Sequence, residues 1–237
     1  MRKLVNFLVL IAKIIDFTKN DIDKGNTPSE IYKICSSIRT SFCLSYDIRK
    51  NNTLFLYFQD DKVLVKFEGN QLRYLGPDER SQAILLNKAL NKINQYKNLN
   101  NMDWIKSTPG IYVKTFQNDH SFILWLKSLN LKHVACISNS NFNFIFEFPF
   151  LAHTYDFPKI TSFSNLENLG EIFFIISLNS HDNSLLIKFL RSLVQVYPSM
   201  LEYITLTTLN KITAIEDKIL YINFQIDYQE SINKLKS

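Results

Sequence analysis

Regular alternation of apolar, strand-length runs with segments of helical period constrains this chain more than any other feature. Residues 171–177 form a continuous apolar run and residues 183–196 carry helical spacing. Residues 201–206 are again strand-like, and a closing helix runs from 208 to about 231. Before them, 111–115 reads as a strand, 120–129 as a helix and 132–137 as a further strand. Strands separated by helices pair side by side with both faces covered, so the fold class is α/β with a mainly parallel sheet. No linker or internal repeat divides the 237 residues, which are expected to form one domain (1–237), with 1–115 as an N-terminal elaboration and 116–237 as the second part.

The first half adds strands of a different kind. Residues 3–12 form a buried first strand. The charged start imitates a leader peptide, but Asn6 interrupts the apolar run, Lys13 closes it, and no small-residue cleavage site follows. The run is also too short to span a bilayer, and a cytoplasmic protein with no membrane partner is expected. Residues 20–26 read as a polar loop. Thr27-Pro28-Ser29-Glu30 reads as a capping box with Thr27 as N-cap, opening a helix to about 44 with Ile31, Ile34, Cys35 and Ile38 inward. Runs at 53–59, 63–67 and 72–75, joined by Asp60-Asp61 and Glu68-Gly69-Asn70, predict a β-meander. A helix over 79–96 turns Ile84, Leu85, Ala89, Leu90 and Ile93 inward. Residues 139–169 are aromatic and Asn-rich. Within them Phe142, Phe144, Phe146, Phe148 and Phe150 alternate at strand spacing, suiting a sheet neighbour or a partner subunit better than stacked bases.

Two polar joints sit between these elements, where side chains and free backbone groups come within reach of a ligand. At Gly76-Pro77-Asp78-Glu79-Arg80-Ser81, carboxylates precede a helix whose positive end suits them, but Arg80 gains nothing there. At Ser107-Thr108-Pro109-Gly110-Ile111-Tyr112-Val113, Gly110 permits a close backbone approach. Charge is uneven: residues 1–120 carry 18 Lys+Arg against 12 Asp+Glu, and five of the six arginines lie in the first 80 residues. Such a basic half suits a polyanion such as RNA or DNA. The three cysteines Cys35, Cys43 and Cys136 have no ligand spacing and read as reduced thiols. The four histidines are equally scattered, so no metal is expected.

The segments Leu44-Ser45-Tyr46-Asp47-Ile48-Arg49, Pro77-Asp78-Glu79-Arg80 and Ser107-Thr108-Pro109-Gly110-Ile111-Tyr112-Val113 resemble, in order and spacing, the archaeal tRNA pseudouridine N1-methyltransferase family. That family belongs to the SPOUT superfamily of knotted RNA methyltransferases. The resemblance implies a SPOUT-type sheet with a C-terminal trefoil knot and a homodimer with shared active sites. It also implies S-adenosyl-L-methionine as methyl donor and N1 of a pseudouridine in the T-arm of tRNA as target. Its cofactor loops, carried over by order, fall at Cys136, at Ser177, and at Ile204, Thr205, Leu206, Thr207, Thr208 and Leu209. The family's glycine falls at Ser177, and its proline in the third loop is absent.

Asp47 and Asp78 are the candidate catalytic carboxylates, since N1 must lose its proton as the methyl group arrives. Arg49, Arg80 and Ser107 are the candidate substrate-binding residues, with the arginines gripping a flanking phosphate. Two other readings stay open for these Asp and Arg residues: an intraprotein pair tying loops together, or a non-catalytic RNA-binding relative without the cofactor. Ribosomal RNA is the alternative substrate.

Overall fold

The computed structural model describes residues 4–96, 103–131, 133–138, 159–161, 172–179, 183–209 and 212–235. Among the described residues nine strands form a single sheet: β1 (Val5–Ile11), β2 (Asn52–Phe58), β3 (Val63–Glu68), β4 (Ile105–Thr108), β5 (Ile111–Thr115), β6 (Val134–Ser138), β7 (Lys159–Thr161), β8 (Ile172–Ser177) and β9 (Ile204–Thr208). The spatial order is β4-β5-β3-β2-β1-β8-β6-β9-β7. From β2 to β7 every pairing is parallel, and β3, β5 and β4 continue beyond β2 as an antiparallel wing. The expected α/β class with a mainly parallel sheet is what forms.

β1 lies inside the sheet and is covered on both sides, which is why its sequence is apolar without alternation. Val5, Phe7, Val9 and Ile11 face one core with α2 (Ser29–Phe42), α3 (Glu79–Tyr96) and α6 (Ile215–Leu235). Leu8 and Leu10 face the other, with α4 (Asp119–Ser128) and α5 (Ser184–Val196).

Several local expectations are corrected. Residues 20–26 are not all loop, because Lys19–Asp23 forms a short helix, α1. The capping box stands at its start: Thr18 Oγ1 accepts from the Asp21 N–H at 3.3 Å and the Asp21 carboxylate accepts from the Thr18 N–H at 2.8 Å. Pro28, not Thr27, occupies the N-cap of α2, and no side chain caps that helix. Residues 72–75 form no strand, and Tyr74 sits at φ 50°. The third strand of the meander is β5, which pairs Val65 with Val113. In α3, Leu86 is fully buried and Ile84 only half-buried. A 3₁₀ turn over Pro198–Tyr203 precedes β9, which therefore starts later than expected. The phenylalanines from Phe142 to Phe150 lie outside the described residues.

α6 fastens the far end of the fold. Asn52 Nδ2 donates to the Ser41 carbonyl at 2.6 Å and to Asn223 Oδ1 at 3.0 Å, while Asn223 Nδ2 donates to the Thr40 carbonyl at 2.9 Å. Beside them, Arg49 grips Asp227 with two bonds of 2.8 and 2.6 Å. These contacts lock β2, the end of α2 and the middle of α6 together. Among the described residues no helix is long and apolar enough to cross a membrane.

Candidate functional site

Parallel pairing brings strand ends together. Leu10 lies opposite Ser177, Ile137 opposite both Ile176 and Thr207, and Ser138 opposite Thr208. The carboxyl ends of β1, β8, β6 and β9 therefore share one edge, where open parallel sheets hold their ligands. Leu178, just past β8, donates its N–H to the Leu10 carbonyl at 2.9 Å and points the chain into a cavity of about 730 Å3. That volume lies in the range of small-molecule sites.

Three helix starts surround the cavity. Ser29, Tyr32 and Lys33 come from α2, Glu79 and Arg80 from α3, and Ile215 and Glu216 from α6, with Thr213 and Ala214 leading in. Ile22, Gly25 and Thr27 close the remaining side. Helix starts carry partial positive charge, and α2 has no side-chain cap to satisfy it. Lys33 and Arg80 add full charges, balanced by Glu79 and Glu216. The arrangement suits a ligand with an apolar body and an anionic end.

The predicted substrate residues divide between two edges. Arg80 lines the cavity, and its Nε donates to Asp23 Oδ1 at 2.6 Å. That bond lowers the Asp23 carboxyl below its ordinary range and raises the Arg80 guanidinium. Asp78 stands two residues before Arg80 and accepts from the Ser81 N–H at 2.8 Å, so it caps the start of α3. Asp47 and Arg49 lie at the opposite edge: Asn52, at the amino end of β2, pairs with Val5 at the beginning of β1. Six strand steps of ~3.3 Å put that edge ~20 Å from the cavity side. There Arg49 is held by Asp227, while Asp47 accepts from the Ile48 N–H at 2.8 Å. Ser107, on the wing, has a buried hydroxyl with no hydrogen-bond partner among the described residues. Of the five residues only Arg80 lines the cavity. Asp78 sits between the two regions, because Cys43, bridged to Ile48, donates its thiol to the Gly76 carbonyl at 3.8 Å.

Most predicted cofactor side chains are core. Cys136, Ile204 and Leu206 pack beneath α5, and burial drives the Cys136 thiol far above its ordinary range. Leu209 packs with Ile215 in the other core. Thr205 is half-buried, Thr207 is fully buried, and nothing of the Thr208 side chain is described. At Ser177, where the resemblance places glycine, the backbone is not in the left-handed region. It is the last residue of β8, and its Oγ donates to the Asn179 carbonyl at 3.3 Å. No glycine is needed for that geometry.

Tyr32, Lys33 and the lead into α6 (Thr213, Ala214, Glu216) line the cavity without belonging to any motif read from the sequence. The open α2 start at Pro28-Ser29 was the available signal. Lys218, outside the cavity lining, is 3% exposed, and burial pulls its ammonium below its ordinary range. Among the described residues no group of three His, Cys, Asp or Glu side chains could hold a metal.

A mainly parallel sheet with a cavity of small-molecule size at its carboxyl edge defines an α/β protein with a candidate ligand site there. The chain belongs to the family described as "Putative SAM-dependent RNA methyltransferase", whose profile matches residues 9–127. It is similar to proteins named tRNA (pseudouridine(54)-N(1))-methyltransferase. That of Methanocaldococcus jannaschii is 37% identical over 103 residues, 41% of this chain and 50% of the relative. Those of Haloferax volcanii and Methanosarcina mazei are each 36% identical, over 99 and 103 residues, covering 42% of this chain and 47% and 45% of theirs. The matched stretch spans about half the length of these curated relatives. The family profile ends before β6, so Cys136, Ser177 and residues 204–209 lie beyond it.

Proposed function

We propose that this chain methylates N1 of a pseudouridine in tRNA with S-adenosyl-L-methionine as methyl donor. The observation that carries the reading is the composition of the cavity. Ser29 and Arg80, from the family-matched half, face Leu178 and the residues 213–216 that follow the cofactor-side strands. Family membership and the names of the relatives support the same chemistry.

The residues present fit the donor. Leu178, Ala214 and Ile215 offer apolar walls and backbone groups for an adenosyl group, and Lys33 with the uncapped α2 start suits a carboxylate. The bound sulfonium supplies an electrophilic methyl group. The chain's own task is to hold the base, exclude water and accept the N1 proton. Carbon-linked pseudouridine carries an N1–H that must leave as the N–C bond forms. A carboxylate at the start of α3, Asp78 or Glu79, takes that proton, and Arg80 steadies the flanking phosphate. Asp47 and Arg49 do not line the cavity, and on this reading a second copy of the chain brings them to the base.

A second copy has a surface to use. Leu220, Phe224 and Tyr228 recur every four residues on α6 and are 52%, 61% and 56% exposed, and the last two rings stack at 6.4 Å. We propose this stripe as a two-fold contact. Phe224→Asp is then expected to convert a dimer to a monomer in sedimentation at micromolar concentration. A wild-type monomer there counts against shared sites.

The deciding experiment is calorimetric titration with S-adenosyl-L-methionine, paired with mass spectrometry of tRNA and ribosomal RNA nucleosides. Ser177→Gly is expected to bind equally well or better, and Ala214→Trp to abolish binding by filling the cavity. A charge at Leu206 would not probe the cavity, because that side chain is 1% exposed in the core and the sheet itself would fail. No heat at millimolar ligand sinks the methyltransferase reading and leaves a non-catalytic RNA-binding relative. Product in ribosomal RNA alone moves the substrate, not the chemistry.

A further inference from the structure

The antiparallel wing carries a second surface, on the opposite face of the sheet from the cavity. Pairing sets Phe55, Lys66, Tyr112 and Lys106 in one cross-strand row, and Tyr57, Leu64 and Lys114 in the next. α4 covers the inner end, where Phe122 stacks on Tyr57 at 3.7 Å and Trp125 meets Phe55 and Trp104 at 5.6 and 6.0 Å. Farther out, Lys106 is exposed, and Trp104, Tyr112 and Lys114 are half-exposed.

The lysines here do not wave freely in solvent. The Lys66 ammonium lies over Trp104 and Tyr112 at 4.5 and 4.7 Å, and that of Lys114 over Trp104 and Phe116, each at 5.8 Å. Ring faces attract cations and strip part of their water, so two of the three charges are partly desolvated before any ligand arrives. Lys66 is neutralised by Glu68, which also accepts from Gln71 at 2.7 Å. Lys106 and Lys114 have no ion-pair partner among the described residues, and exposed Asp103 lies at the margin. Cations standing among aromatic rings on an open strand face match a phosphate backbone with bases or sugars beside it. Arg49, predicted for that task and outside the cavity, is already engaged by Asp227.

We infer that this face of the wing binds the sugar–phosphate backbone of RNA, with Lys106 and Lys114 as phosphate contacts and Trp104 and Tyr112 as flanking rings. The inference rests on the RNA substrate proposed above and adds where that RNA is held. A ligand that reaches both the wing and a cavity on the other face must be large and folded.

The test is fluorescence anisotropy of a labelled, unmodified tRNA transcript over a potassium chloride series. Lys106→Glu/Lys114→Glu should weaken binding at least about tenfold, and its log–log salt slope should flatten by about 1.4–1.8, two contacts at ~0.7–0.9 each. The milder Lys106→Ala/Lys114→Ala should flatten the slope by the same amount, and circular dichroism checks that both remain folded. Unchanged slopes in both variants, with cofactor binding and methylation intact in the wild type, overturn this inference and leave the proposed reaction standing. Flattened slopes with no cofactor binding in the wild type keep the inference and sink the reaction. A wild type that ignores tRNA, or releases it equally to polyglutamate, overturns the assignment to RNA.

Discussion

Gly110→Ala is expected to lower stability by about 3–5 kcal/mol, read as a large fall in the urea midpoint. Gly110 sits at φ 79°, where an L side chain costs about 1–2 kcal/mol. A Cβ there would lie 2.5 Å from the Leu72 nitrogen and 2.7 Å from both Gln71 C and Leu72 Cα, all of them backbone atoms. The 69–72 turn cannot swing aside cheaply, because the Gln71 and Leu72 N–H groups both donate to the Glu68 carbonyl at 3.0 Å. Gly25→Ala is the matching control: its φ is 73° and nothing lies within 4 Å of its Cβ position, so only the conformational cost of about 1 kcal/mol remains. Equal losses at the two sites would show that the two turns are not rigidly packed.

Asn223→Ala is the second large effect, expected at about 2–4 kcal/mol. Asn52 and Asn223 are 2% and 1% exposed, so the Thr40 carbonyl and an Asn52 N–H would be left buried without water or partner. Asn52 Oδ1 already lacks a partner among the described residues, which leaves the pair no slack. Arg49→Ala should cost less, about 1 kcal/mol, since half-exposed Asp227 is easily rehydrated. Hydrogen exchange should localise both losses to the junction of α6 with α2. Weakened tRNA affinity in Arg49→Ala without any loss of stability would return that arginine to the substrate.

Much of the sheet was legible because burial writes itself into period. β1 and β8 are covered on both faces and read as unbroken apolar runs; β2 and β3 were placed within a residue or so. The failures share a cause. Residues 72–75 are rich in large apolar and aromatic side chains, but Leu72 and Leu75 pack into the core from a loop around the positive-φ Tyr74. β4 is four residues with no buried position, so its pattern is silent. At the candidate site, the Gly76–Ser81 joint was legible from its local pattern and from the family resemblance, and of its residues Glu79 and Arg80 line the cavity. The partner of Arg49 is 178 residues away, and no spacing rule reaches that far. The cavity wall residues Thr213 and Ala214 are unremarkable in composition and matter only through where the strands end.

The central place of β1 also bears on how the chain reaches this state. β1 gains its first neighbour once Asn52–Phe58 has been made, but its other side waits for Ile172–Ser177, well over a hundred residues later. During synthesis a seven-residue apolar edge therefore stands open while the wing, α2 and α3 are already available to assemble beside it. Such late, non-local pairing slows folding and invites wrong partners. A nascent chain of this protein is most exposed to self-association in the interval before β8 emerges, and chaperone demand should peak there rather than at its end.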